Sequence, residues 1–177
     1  LKQNATYLEN IKAIGDRFTI ENSALNTVTS EFGAMQIGNE LWYTATHKKS
    51  TSKTYRWNNE NYLDIYTHPL DKQMLGDSLS REVSETINTR LHEGSFSISP
   101  DGKTLYFTRN NFKNGKRKTD DKKISNLKIY SANLVDGDWK NIMELPFNSD
   151  NFSNEHPTLN ADGTKLYFSS DRTRQYV

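Results

Sequence analysis

The side chains with chemical reach are four histidines, His47, His68, His92 and His156, a few turn carboxylates and one dense run of cations. No histidine has a second histidine or an acid at the spacing of a metal site, and the absence of cysteine removes thiolate ligands and thiol nucleophiles. His92-Glu93 and Glu155-His156 stand at the head of two similar segments. They read either as a polar ring at the mouth of a repeated structure or as groups that hydrogen-bond the connection between repeats, and repeat structure alone accounts for them. Asp101 and Asp162 suggest paired carboxylates, but acid/base pairs need separations of roughly 5–10 Å. Two turn residues a whole repeat apart are expected to lie farther from each other, each serving its own turn. Asp120-Asp121 lacks the spacing and the glycine of a calcium loop. There is no nucleophile elbow and no glycine-rich phosphate loop. The residues therefore predict no enzyme, no metal site and no cofactor.

The cations are more distinctive. Lys113, Lys116, Arg117, Lys118, Lys122 and Lys123 fall within one polar segment, and Lys48, Lys49 and Lys53 follow His47 at the matching place upstream. Both segments follow a second strand, so both are expected at the same end of the fold as a partner-binding surface. No aromatic interleaving or RNA motif supports nucleic acid. An acidic protein partner or lipid headgroups fit the charge, as does a merely solvated loop.

The elements that position these residues are repeats. Glu93 to Asn110 reads EGSFSISPDGKTLYFTRN, two alternating runs around Asp101-Gly102, and Asp-Gly between such runs is a strong hairpin signal. A shift of 61 residues carries it onto Asp162-Gly163 with Leu166-Tyr167-Phe168. A shift of 64 relates Leu41-Trp42-Tyr43-Thr44 to Leu105-Tyr106-Phe107-Thr108, and Asp64-Ile65-Tyr66 to Lys128-Ile129-Tyr130. Between the units an apolar-Asn-Ser/Thr tripeptide recurs as Leu25-Asn26-Thr27, Ile87-Asn88-Thr89 and Phe147-Asn148-Ser149.

Repeats of this length with four strands each predict an all-β fold, a β-propeller of four-stranded antiparallel blades. Residues 1–24 form a leader with a short helix near Ala5 to Ile14 and a strand at Phe18 to Ile20. Residues 25–86 are the first blade, 87–146 the second, and 147–177 the first half of a third. Within the first blade the stretch from Asp77 to Glu85 is expected to hold the fourth strand or, equally, one helical turn, and in the second Asn111 to Ser125 is expected to be a loop. Roughly two and a half blades do not close a ring, so the chain is expected to be a fragment of a larger propeller.

Composition agrees with sheets. Only 33% of the residues are hydrophobic, and these are weighted to nine Tyr and eight Phe rather than to a thick aliphatic core. The net charge of +1 gives no whole-chain pull toward nucleic acid. No apolar run approaches the roughly 20 residues of a membrane span.

Ser99-Pro100-Asp101-Gly102-Lys103-Thr104-Leu105-Tyr106-Phe107 and Ala161-Asp162-Gly163-Thr164-Lys165-Leu166-Tyr167-Phe168 resemble the PD40 (WD40-like, TolB-type) propeller repeat. Ser30-Glu31-Phe32-Gly33, Tyr55-Arg56-Trp57-Asn58 and Leu63-Asp64-Ile65-Tyr66 are similar to the first blade of Bacteroidetes OmpA-family outer-membrane proteins. So are Phe107 to Phe112, Asn114-Gly115-Lys116 and Glu144 to Asp150. One branch of that family resembles the PorE component of the type IX secretion and gliding apparatus. The resemblance covers about residues 16 to 172 and implies a periplasmic, outer-membrane-associated scaffold that binds other envelope proteins. In such proteins peptidoglycan is held by an OmpA-like domain that this chain does not contain. The third unit departs from the pattern at Ser170-Asp171-Arg172-Thr173-Arg174, where a glycine-rich continuation is expected. The alternative is the propeller of a hydrolase, a peptidase or carbohydrate-active enzyme, with its catalytic domain elsewhere.

Overall fold

A computed structural model describes residues 5–15, 19, 21–46, 54–70, 79–113 and 115–173. One helix precedes the strands: α1, Ala5–Gly15, ATYLENIKAIG. Its apolar side chains Tyr7, Leu8, Ile11 and Ile14 are all exposed. Of the strand expected at Phe18 to Ile20 only Thr19 is described, and it is not in a strand, while the basic segment with His47, Lys48, Lys49 and Lys53 lies outside the described residues.

The first sheet runs β1 (Glu31–Ile37), β2 (Glu40–Ala45), β3 (Asp64–Pro69) and β4 (Arg81–Glu82) in that order. In the second, β5 (Glu93–Ile98) and β6 (Thr104–Asn110) precede β9 (Leu127–Val135) and β10 (Asp138–Glu144), again as successive antiparallel neighbours. Between β6 and β9 the chain makes a small hairpin, β7 (Phe112–Lys113) with β8 (Lys116–Arg117), where the sequence predicts only loop. Two residues per strand are too few to show an alternating pattern. A third pair, β11 (Asn154–Leu159) and β12 (Leu166–Ser170), follows. The fourth strand of the first blade is a two-residue stub inside the expected window, paired to Tyr66 and Thr67.

The alternation explains how the blades stack. On β2 and β3, Trp42, Thr44, Ile65 and Thr67 share one face because Trp42 pairs with Thr67 and Thr44 with Ile65. That face meets the second blade, where Phe96, Leu105, Phe107, Tyr130, Ala132 and Trp139 join Trp42, Ile65 and Ile87 in one buried cluster. The main core is thus a seam between two sheets. The opposite face of the first blade carries Tyr43, Ala45 and Tyr66 as a separate small cluster. The opposite face of the second blade receives β11.

The Asp-Gly turns are not all of one type. At Asp136-Gly137 both residues take positive φ, 55° and 79°, which is the two-residue turn that matches strand twist. At Asp101-Gly102 only Gly102 does so, with φ 71°. There Ser99 N–H donates to the Thr104 carbonyl and Gly102 N–H to the Ser99 carbonyl, so the connection is a wider turn begun by Pro100.

The recurring tripeptide also acquires a role. Asn88 clasps the backbone of Ile65: Ile65 N–H donates to Asn88 Oδ1 at 2.9 Å, and Asn88 Nδ2 donates to the Ile65 carbonyl at 2.9 Å. Asn148 holds Ile129 in the same way, at 3.1 and 2.7 Å. Each asparagine therefore pins the start of one blade to the third strand of the blade before it.

Candidate functional site

A side-chain bond that recurs in all three units closes the head of each inner hairpin. Ser30 N–H donates to Thr46 Oγ1, His92 N–H to Asn110 Oδ1, and Ser153 N–H to Asp171 Oδ1. His92 adds to this by accepting the Leu63 N–H on Nδ1 at 3.1 Å, and Ser153 Oγ accepts the Leu127 N–H likewise. Tyr55 and Tyr62 pack on the His92 ring with centroids 4.7 and 4.6 Å away. Burial lowers the His92 pKa to about 4, so the ring is neutral and its Nδ1 stays an acceptor. His68 is buried against Ser80 Oγ. Both histidines thus work inside the scaffold.

Beside His92, Glu93 is fully buried and ion-paired to Arg109 at 2.9 Å. It also accepts the Thr89 N–H and hydroxyl, while Arg109 donates to the carbonyls of Thr86 and Ile87 and lies over the rings of Phe107 and Tyr130. Burial pushes the Glu93 carboxyl up to about 7 against the opposing pull of Arg109. This cluster locks the Ile87-Asn88-Thr89 crossing and offers no open face to a substrate.

The inner strands share another device. Each carries a bulge with one residue at positive φ: Gly33 at 67°, Ser95 at 40° and His156 at 57°. The bulge turns His156 toward the neighbouring blade, where its Nδ1 meets Ser95 Oγ at 2.7 Å and its N–H donates to Thr108 Oγ1. Glu155 lies 3.6 Å from Nε2, beyond hydrogen-bond length. Ser95, His156 and Glu155 thus line up without forming a connected triad, and His156 is exposed. The contact joins two blades.

The turn carboxylates look inward. Asp101 Oδ1 accepts the Ser99 hydroxyl and the Lys103 N–H, and Asp162 Oδ1 accepts the Thr164 hydroxyl and N–H. These bonds hold both acids below the usual carboxylate range. The two turns are closer than the sequence suggests: a Cβ at Gly163 would come within 2.7 Å of Pro100 Cδ. The turns of adjacent blades pack edge to edge, because the inner hairpins of successive blades lie side by side. Asp120 likewise organises its own loop, accepting the N–H groups of Lys122 and Ile124. Among the described residues no cluster of His, Cys, Asp or Glu could hold a metal.

The cationic excursion between β6 and β9 is built rather than loose. Lys118 N–H donates to the Asn111 carbonyl, Arg90 Nη2 to the Gly115 carbonyl at 2.6 Å, and Asn111 Nδ2 to Asp150 Oδ1 at 2.7 Å. Below it Lys128 is buried between Asp150 and Glu144, with Nζ 2.5 and 2.7 Å from their oxygens. Burial works against the ammonium, yet Asp150 and Glu144 outweigh it and raise its pKa, and Lys128 holds Asp150 low in turn. Lys113 and Lys118 line a polar cleft of about 580 Å³ together with Lys128, Asn148 and Ser149. Lys116, Arg117, Lys122 and Lys123 are exposed and stand outside that cleft. The structure thus joins two of the six cations expected in this segment to a cleft. It also adds Asn111, Lys128, Glu144 and Asp150, whose role no spacing signalled.

No helix among the described residues is long and apolar enough to cross a membrane. No family model matches the chain, and no curated protein matches it. Solved structures do. The chain is similar to the crystal structure of puromycin hydrolase, with 15% identity and a TM-score of 0.55, over 84% of this chain and 21% of that one. It is also similar to a Mycobacterium tuberculosis puromycin-hydrolyzing peptidase, with 18% identity and a TM-score of 0.53, again over 84% and 21%. The chain spans about a fifth of the length of these structures, and the likeness is one of fold. With its antiparallel four-stranded sheets stacked face to face, the chain is a partial β-propeller.

Proposed function

We propose that this propeller portion is a non-enzymatic protein-binding scaffold whose contact surface is the cationic hairpin and loop between β6 and β9. One observation carries this: the exposed cations Lys113, Lys116, Arg117, Lys118, Lys122 and Lys123 sit on an excursion anchored at Arg90, Asn111 and Asp150. A segment that served only to be solvated would need no such anchors, whereas a displayed charge pattern does. An acidic protein surface is the matching partner. The motif resemblance to OmpA-family and PorE-like proteins supports placing that partner in the periplasm at the outer membrane, within a type IX secretion or gliding complex.

The test is cross-linking of the protein in intact envelopes, with Lys116, Arg117, Lys122 and Lys123 all changed to Glu in the variant. The expected result is cross-links from this segment to an acidic partner in the wild type. They should be lost in the variant while the melting temperature stays within a degree or two, as surface changes predict. Cross-links unaffected by charge reversal would refute the assignment. The alternative, the propeller of a hydrolase with its catalytic domain elsewhere, has its support in the two matched structures, both named for puromycin hydrolysis. A hydrolase domain on the same polypeptide would favour it.

A further inference from the structure

The connection from β2 to β3 in the first blade occupies the place that the cationic excursion occupies in the second, so both project from the same end of the sheets. Its described part is a closed loop. Thr54 and Asn61 pair as an antiparallel bridge, Tyr55 N–H donates to the Glu60 carbonyl at 2.7 Å, and Asn59 N–H donates to the Tyr55 carbonyl at 2.9 Å. Asn59 takes the left-handed conformation that the reversal needs, with φ 60°. Two anchors tie the loop to the blades. Glu60 Oε2 accepts from Ser30 Oγ, Thr46 Oγ1 and Asn58 Nδ2 at 2.8, 3.0 and 3.2 Å. The Tyr55 ring packs on Tyr62 and His92, with centroids 5.6 and 4.7 Å away.

At the tip of this loop stands Trp57, 85% exposed, next to an exposed Arg56. A large ring displayed on an anchored loop loses little further entropy when it is covered. The loop also abuts the cationic excursion. Two residues before His92, Arg90 donates from Nη2 to the Gly115 carbonyl at the turn of the β7–β8 hairpin. The segment Arg90-Leu91-His92 thus carries the tryptophan loop on one side and the hairpin on the other. Trp57, Arg56, Lys116 and Arg117 belong to one end surface, a ring among cations, and Trp, Tyr and Arg are the residues that carry most affinity in protein docking. A bilayer fits less well. Asp121 is exposed within the same excursion, and a uniformly anionic sheet would oppose it where a peptide can avoid it.

We propose that the acidic partner of the cationic surface is held by an apolar side chain, aromatic or branched, that packs on Trp57 while flanking carboxylates meet Arg56, Lys116 and Arg117. This rests on the scaffold reading of that surface and adds the anchor that the charges alone do not supply.

The test uses the 177-residue chain and two blocked acidic heptapeptides of Asp and Glu, one with phenylalanine at its centre and one with alanine. Anisotropy of the fluorescein-labelled peptides gives the affinities, and the phenylalanine peptide should bind roughly five-fold tighter. Trp42 and Trp139 are buried, so acrylamide quenching of tryptophan emission reports mainly on Trp57. The phenylalanine peptide should shield that emission saturably. Trp57→Ala should make the two peptides bind alike, at the weaker affinity. Added salt should weaken both and leave their ratio unchanged, because only the charges are screened. Equal affinities in the wild type, or a Trp57 still fully quenched at saturation, would overturn the inference and leave the cationic surface standing. Binding of neither peptide would remove that surface as well. Phosphatidylglycerol vesicles that shield Trp57 where the peptides do not would make the occupant a membrane and refute the peptide reading.

Discussion

Between the first and second blades the seam is filled by Trp42, Ile65, Ile87, Phe96, Phe107 and Trp139, with Trp42 and Trp139 packed edge-on at 6.0 Å. Between the second and third, hydrogen bonds stand beside the half-buried Tyr106 and the Pro100–Gly163 contact. His156 meets Ser95 and Thr108, and the Leu159 N–H donates to Ser97 Oγ at 3.1 Å. The asparagine clasp is common to both seams, so the connection geometry is the same while the filling is not. Apolar filling removes far more surface from water and tolerates small shifts; hydrogen bonds stabilise less and fix register. The contrast implies that the first two blades form the stable body and that β11 and β12 are held to it mainly by alignment.

The sharpest way to break the apolar seam is Trp139→Ala. The side chain is buried against Trp42, and its removal should cost about 3–5 kcal/mol, read as a large fall in the urea midpoint. The half-buried Tyr106 sits on the other seam, and its replacement by Ala should cost less. A Trp139→Ala variant that unfolds like the wild type would leave the seam without its supposed filling.

The buried Glu93–Arg109 contact at the same seam makes a prediction in pH. Glu93 holds its proton with a pKa of about 7, above its ordinary 4.5. Its contribution is therefore full below pH 4.5 and lost as pH rises through 7. His92 runs the other way: its pKa of about 4 lies below the ordinary 6.5, so its contribution is present above 6.5 and lost as pH falls through 4. In the wild type the two slopes oppose each other across the overlapping range. Glu93→Gln removes one of them and should leave stability rising steadily from pH 4 to 6.5, with a slope change worth up to about 3 kcal/mol. Denaturation across pH checks the slope rather than the absolute value, because the variant also changes the hydrogen bonds that Glu93 makes with Thr89 and its contact with Arg109. An unchanged slope would remove Glu93 from the account.

A smaller effect sharpens the polar seam. Gly163→Ala places a Cβ at φ 72° and against Pro100, which should cost roughly 1–3 kcal/mol. The loss should appear as earlier melting of β11 and β12 alone, followed by their amide or methyl signals. Global destabilisation shared equally by the first blade would argue that the two seams open together.

Much of the architecture was readable because the repeats carry it. Leu-Tyr-Phe runs at fixed shifts mark the second strand of each inner hairpin, and Asp136-Gly137 marks a two-residue turn. The asparagine tripeptide was visible as a pattern, but its clasp was not, since the bond runs to a strand residue 23 or 19 positions earlier. The bulges were hidden because only Gly33 announces positive φ; Ser95 and His156 adopt it under the constraint of neighbouring strands. Lys113 and Lys118 were chosen for charge, while Lys128 looked like an ordinary strand residue until burial and its two acids were seen.

Hydrogen exchange of single amides compares the two seams most directly. The Ile65 N–H, bonded to Asn88 across the apolar seam, should exchange only by global unfolding. The His156 and Leu159 N–H groups, bonded to Thr108 and Ser97 across the polar seam, should exchange at least about ten-fold faster through local opening. Equal protection of all three would mean that the blades form one cooperative unit, and the division into a packed body and an aligned third blade would be wrong.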